Sequence, residues 1–66
     1  MNNATSDILD LAVESLQRDL DSIYGIRYMV AADYATPTGV DILDIDGNHL
    51  EFFSSVSDAR RRLVFK

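Results

Sequence analysis

The sequence predicts an α+β domain in the order helix, three antiparallel strands, helix, and three features of its spacing lead there. Apolar residues recur at helical intervals from Leu9 to Ile23. The period then drops to two after Gly25, and an Asp46-Gly47 step separates two further apolar runs. Together they describe a three-stranded antiparallel sheet packed on a long N-terminal helix, with a short C-terminal helix completing the layer.

Leu9, Val13, Leu16, Leu20 and Ile23 are spaced 4, 3, 4 and 3 apart, which places them on one helical face that Ile8, Ala12 and Tyr24 widen. Thr5 or Ser6 caps the start, and Asp7 follows in the first turn, where the helix dipole favours an acid. Gly25 supplies the left-handed residue that ends the helix, with Ile26 as the apolar contact just beyond. The predicted helix therefore covers residues 5 to 24. From there Ile26, Tyr28, Val30 and Ala32 alternate with Arg27, Met29, Ala31 and Asp33, the pattern of a strand. Thr36-Pro37-Thr38-Gly39 carries proline where a turn wants a fixed φ and glycine near its end, so the chain reverses there. A second strand follows from Val40 to Ile45, and a third from His49 to Ser54.

Asp46-Gly47 is the strongest hairpin signal, because both central residues of the favoured two-residue turn need positive φ. Such a loop sets Ile45 opposite Asn48, Asp44 opposite His49, Leu43 opposite Leu50 and Asp41 opposite Phe52. One face then carries Leu43, Ile45, Leu50 and Phe52, and it is predicted to pack on the long helix. The other carries Val40, Ile42 and Phe53 beside an Asp44–His49 pair; it is too apolar to stay in water and is a candidate homodimer face. A third residue in the turn swaps some of these faces. Next, Ser55-Val56-Ser57-Asp58 has the pattern of a capping box, so a short helix follows with Val56, Ala59 and Leu63 inward. Leu63-Val64-Phe65 reads alternatively as a short edge strand.

Sixty-six residues make one domain, residues 1 to 66, because a chain this short hides only about 60% of its unfolded surface. It has no cysteine, so neither a disulfide nor a thiolate zinc site supports the fold. No secretory signal or membrane span is visible, and a cytoplasmic protein is expected. Charge is unevenly distributed within a net −5. Residues 1 to 58 hold all eleven acids against Arg18 and Arg27, a balance of −9, whereas residues 59 to 66 hold Arg60, Arg61, Arg62 and Lys66, a balance of +4. A mostly acidic body repels nucleic acid and anionic membrane and attracts basic protein surfaces.

The motifs that carry chemistry are incomplete. Asp44-Ile45-Asp46-Gly47-Asn48 resembles the middle of a calcium loop, but with Gly47 at the loop glycine, Ile42 and Phe53 fall where carboxylates belong. His49, the single histidine, faces Asp44 across the hairpin, yet Ser54 falls on the opposite face of the strand, so no nucleophile completes a dyad. No phosphate loop, metal motif or nucleophile elbow is present, and the sequence is read as non-enzymatic, with no cofactor and no metal.

Two charged clusters remain. Arg60, Arg61, Arg62 and Lys66 form a possible phosphate contact, and the element order resembles that of double-stranded RNA-binding domains. That family places lysines at the start of its last helix and a histidine in the loop after its first strand, where this chain has Ser57-Asp58 and Tyr34-Ala35-Thr36-Pro37. Asp58 and the overall charge oppose phosphate binding, which makes nucleic acid the weaker alternative. On the long helix, Asp7, Asp10, Glu14, Gln17 and Asp21 recur at 3, 4, 3 and 4, an acidic row beside the apolar one, with Asp19 on another flank and Leu11 pointing away from the core. Asp19 and Asp21 oppose the dipole in the last turns, which suggests a use other than helix stability. In size and charge the chain resembles phage-encoded inhibitors, including anti-CRISPR proteins that occupy nucleic-acid channels. The leading expectation is a binding module whose Asp7, Asp10, Glu14 and Asp21 dock on a basic partner surface. A small homodimeric regulatory or assembly subunit is the second.

Overall fold

The structure is a computed structural model that describes residues 4–33, 35, 36 and 38–65, with side chains described from residue 8 onward. Its elements are α1 (Ala4–Tyr24), β1 (Tyr28–Asp33), β2 (Gly39–Asp44), β3 (His49–Phe53) and α2 (Val56–Leu63). The strands form one antiparallel sheet in the order β1-β2-β3. Both helices lie on the same face, so the domain has two layers, and among the described residues no layer covers the opposite sheet face.

Helix α1 forms on the expected spacing, with Leu9, Leu16 and Leu20 buried and Val13 and Tyr24 packed around them, but Ile8 and Ile23, expected on the same face, are exposed at its two ends. It ends at Gly25, whose φ of +77 takes the left-handed turn, while Gly25 N–H donates to Asp21 O at 3.0 Å. Ile26 does not make the expected contact. It is 81% exposed in the turn before β1, which begins two residues later than the alternation of the sequence suggests. The proposed capping side chains, Thr5 and Ser6, and Pro37 of the first turn lie outside the description. Around that turn Asp33 Oδ1 accepts from Ala35 N–H at 3.0 Å and Thr36 Oγ1 from Gly39 N–H at 2.9 Å, so side chains replace the missing strand ladder.

The sheet buries the face opposite to the one expected. Val40, Ile42 and Phe53, read from the sequence as an outer dimer face, are 0%, 4% and 6% exposed and form the core with Leu9, Leu16, Leu20 and Ala59. The β2–β3 register supports Asp41 opposite Phe52, as expected, so the error lay in choosing the face. Strand β1 decides it. Pairing of Val30 with Ile42 and of Ala32 with Val40 puts Tyr28, Val30 and Ala32 on the Val40–Ile42 side, leaving Met29, Ala31 and Asp33 on the other. The hairpin also holds a third loop residue. Gly47 N–H donates to Asp44 O at 3.0 Å and Asp44 N–H to Asn48 O at 2.9 Å, with Gly47 alone at positive φ in the loop. The extra residue is absorbed by a bulge, so that Leu43 faces His49 while Ile42 faces Glu51.

After β3, Ser55 Oγ accepts from Asp58 N–H at 3.1 Å, half of the expected capping box. The Asp58 carboxylate closes on a different donor, the Ser54 hydroxyl, at 2.8 Å. Helix α2 buries Ala59 and packs Val56, Leu63 and Val64 on the core, so the tail is helical through Leu63 instead of an edge strand. Tyr24 OH, whose ring meets Tyr28 edge-on, donates to Leu63 O at 2.7 Å and ties the ends of the two helices together. No helix among the described residues is long and apolar enough to cross a membrane.

Candidate functional site

The acidic row is divided by what its members touch. Asp10 and Glu14 are exposed on the outward side of α1, beside Leu11, which is 66% exposed; Ile8, also exposed, lies on the flank toward α2, where it lines a recess with Leu9, Val56 and Ser57. Asp7 belongs to α1, but its side chain lies outside the described residues. Asp21 is half-buried and accepts a hydrogen bond from Gln17 Nε2 at 2.9 Å. The same Gln17 amide donates to Tyr28 O at 2.7 Å and accepts from Val30 N–H at 2.8 Å, so this middle member of the row serves the sheet.

Internal contacts also explain the acids that oppose the helix dipole. Asp19 forms an ion pair with Arg60 of α2, and Arg60 Nη2 lies 3.3 Å from Ser15 Oγ on α1. Helix α1 therefore carries Asp19 to hold α2, a role the sequence hinted at only as an unexplained cost. The basic cluster is broken up in the process. Arg61 lies 3.5 Å from Asp58, Arg62 is exposed without an ion pair among the described residues, and Lys66 lies outside them.

His49 Nε2 meets Asp41 Oδ1 at 2.9 Å, not Asp44, because the bulge moves His49 to the outer sheet face. That face carries Met29, Ala31, Leu43 and Phe52 around the pair, with Met29 51% exposed. Asp44 is used by the hairpin. Its Oδ1 accepts from the N–H groups of Asp46 and Asn48, and its Oδ2 from Asn48 Nδ2 at 3.1 Å. These bonds, led by the Asn48 N–H, hold the Asp44 carboxyl below its ordinary pKa.

Two recesses lie along β3. One, of about 250 Å³, is floored by Leu20, Tyr28, Ile42 and Leu63, with Leu50 at its side. The second, of about 330 Å³, lies between β3 and α2, and its charged lining is Glu51, Asp58, Arg61 and Arg62. Glu51 borders both, shares the core-side face with Ile42, and has no ion pair among the described residues. Reading the sheet faces the other way round hid this residue; its signal in the sequence was a lone acid within His49-Leu50-Glu51-Phe52-Phe53. No family model, curated protein or solved structure matches this chain.

Proposed function

We propose that this domain is a non-enzymatic protein-binding module that inhibits or modulates its partner by docking the Asp10–Glu14 side of α1 on a basic surface. The observation that carries this reading is the exposure of both acids, on one turn, beside the exposed apolar Leu11. A binding surface needs charge for steering and register and apolar area for affinity, and this stretch of helix offers both. Asp7 precedes the pair by one helical step, and Asp21 adds charge at the other end while held by Gln17. A basic surface of this kind is often one that holds nucleic acid, so the mode of action is competition for that site, as in phage-encoded antagonists of similar size and charge. Arg60 is committed to Asp19, which weighs against the alternative of nucleic-acid binding through the arginine cluster.

The test is affinity capture with the wild-type chain and with the double reversal Asp10→Lys/Glu14→Lys, between about 0.1 M and about 1 M salt, over which the screening length falls from about 10 Å to about 3 Å. A partner lost on charge reversal and progressively released by salt supports this mode. A partner held equally by both chains at both salt concentrations overturns it.

A further inference from the structure

The two edges of the sheet are treated differently. The outer edge of β1 lies against α1, and the Gln17 amide takes the Tyr28 C=O and the Val30 N–H that a further strand would otherwise bind. Because those groups point away from β2, strand alternation fixes the direction of every group across the sheet. Met29 pairs with Leu43 and Ala31 with Asp41 through hydrogen bonds, so the N–H and C=O of Val40, Ile42 and Asp44 point toward β3. The Asp44 N–H to Asn48 O bond agrees with this. Glu51 and Phe53 answer them, and the Phe52 N–H and C=O are turned out from the open edge. Strand β3 carries no lysine or proline, the residues that usually blunt such an edge.

We infer that the β3 edge pairs with the β3 edge of a second copy of this chain, antiparallel about a two-fold axis at Phe52. Continuous pairing gives a six-stranded sheet with all four helices on one face. The charges beside the edge select this occupant. An inward-pointing acid on an edge strand ordinarily deters pairing, and Glu51 is such an acid. Here the same recess also holds Arg62, which extends from α2, and neither side chain has an ion pair among the described residues. A two-fold axis at Phe52 sets Glu51 opposite Phe53 of the second copy, at the end of β3 from which that copy's α2 departs, so each acid approaches the other copy's Arg62. An isologous contact of this kind needs acid and base on the same patch; with Asp58 and Arg61 paired to each other, Glu51 and Arg62 are the acid and base left without an ion pair among the described residues of this recess. The bulge at Leu50 limits regular pairing to the second half of β3. The contact is therefore small, and association is expected to depend on concentration. Asp10 and Glu14 lie on α1, away from this edge, so the inference stands apart from the proposed docking face.

Sedimentation velocity on the full chain is the test. The expected mass is 7.4 kDa at low concentration, rising toward twice that between roughly 10 μM and 1 mM, the range of a small interface. Both positions are exposed, so Glu51→Arg and Arg62→Glu are expected to fold; each should weaken association about ten-fold or more, and the double exchange should restore it. Hydrogen exchange at the Phe52 amide should slow as the dimer forms. A chain that stays monomeric up to the millimolar range overturns the inference. So does a dimer indifferent to both reversals, which would place the contact elsewhere, such as the Met29–Leu43 face, and so does a Phe52 amide whose exchange ignores concentration.

Discussion

Gln17 Oε1 of α1 accepts a hydrogen bond from the Val30 N–H of β1 at 2.8 Å, and the Nε2 of the same amide donates to Tyr28 O at 2.7 Å. One helical side chain thereby stands in for two ladder bonds of a missing strand. Sheet edges left bare invite foreign strands, so this contact both anchors α1 to the sheet and occupies part of that edge. It also makes the edges unequal, since Gln17 occupies two outward-facing groups of β1.

Substitution at Gln17 is expected to be costlier than at a solvated helix position. Gln17→Leu leaves the Tyr28 C=O and Val30 N–H without their partner, a loss of about 1–3 kcal/mol. Gln17→Glu keeps an acceptor for Val30 but has no donor for Tyr28 at neutral pH. Urea denaturation should show both variants destabilised, while hydrogen exchange separates them: the Val30 amide stays protected in Gln17→Glu and loses protection in Gln17→Leu. Equal protection of Val30 in both would show that the amide bond is not what covers that edge.

The Asp19–Arg60 pair is the principal polar link between the helices, and it is only partly buried, with side chains 42% and 24% exposed. Solvent screening keeps such a pair to about 1 kcal/mol or less. A double-mutant cycle with Asp19→Ala and Arg60→Ala should give a coupling of that size, shrinking as salt rises. Arg60→Ala alone should cost somewhat more than the coupling, because the Ser15 contact and the packing of its aliphatic stem go with it. A zero coupling would assign the attachment of α2 to Ala59, Leu63 and the Tyr24–Leu63 bond.

The element order, the extent of α1 and the pairing of Asp41 with Phe52 were legible in the sequence, because each rests on local periodicity or turn chemistry. The choice of sheet face was not. Within β2 and β3 the two faces are nearly equal in apolar content, Val40, Ile42 and Phe53 against Leu43, Leu50 and Phe52, and only the register of β1 breaks the tie. Likewise Asp46-Gly47 announces a turn but not its length: Asp46 is at negative φ, so the two-residue turn that needs positive φ at both positions does not form. The exposed acids of α1 could be read from their spacing. The uses of Asp19 and Gln17 could not, since Arg60 is 41 residues away from the first and Val30 13 from the second.

Gly47 and Gly39 are expected to resist substitution for different reasons. Gly47 has φ +90 with nothing within 4 Å of an added Cβ, so Gly47→Ala is strained only in its backbone, at about 1–2 kcal/mol, and Gly47→Asn should cost less. Gly39 has no positive φ, but a Cβ there would fall 2.1 Å from Thr36 Oγ1 and 2.7 Å from Phe52 Cε1. Gly39→Ala must therefore displace the Phe52 ring and break the Thr36 bond to the Gly39 N–H. Chemical shifts of Phe52 should change in Gly39→Ala and stay in place in Gly47→Ala, with thermal unfolding reporting the cost of each.

Acid should loosen the hairpin through Asp44. Its carboxylate accepts from the Asn48 N–H, the Asn48 side-chain amide and the Asp46 N–H, and these bonds, led by the Asn48 N–H, hold its pKa below the ordinary 3.8. A depressed carboxyl pKa means that the folded state binds the proton less readily than the unfolded one. The stabilisation is then fully present above the unfolded pKa and is lost as pH falls through the folded value. Asp44→Asn is expected to lower stability at about pH 6, and the difference from wild type should narrow as pH falls through the folded pKa of Asp44. Carboxyl NMR titration gives the direct check, with an Asp44 midpoint below 3.8 expected. A midpoint at or above that value, or a stability gap that persists in acid, would mean that the charge of Asp44 does not organise the turn and that its shape alone does.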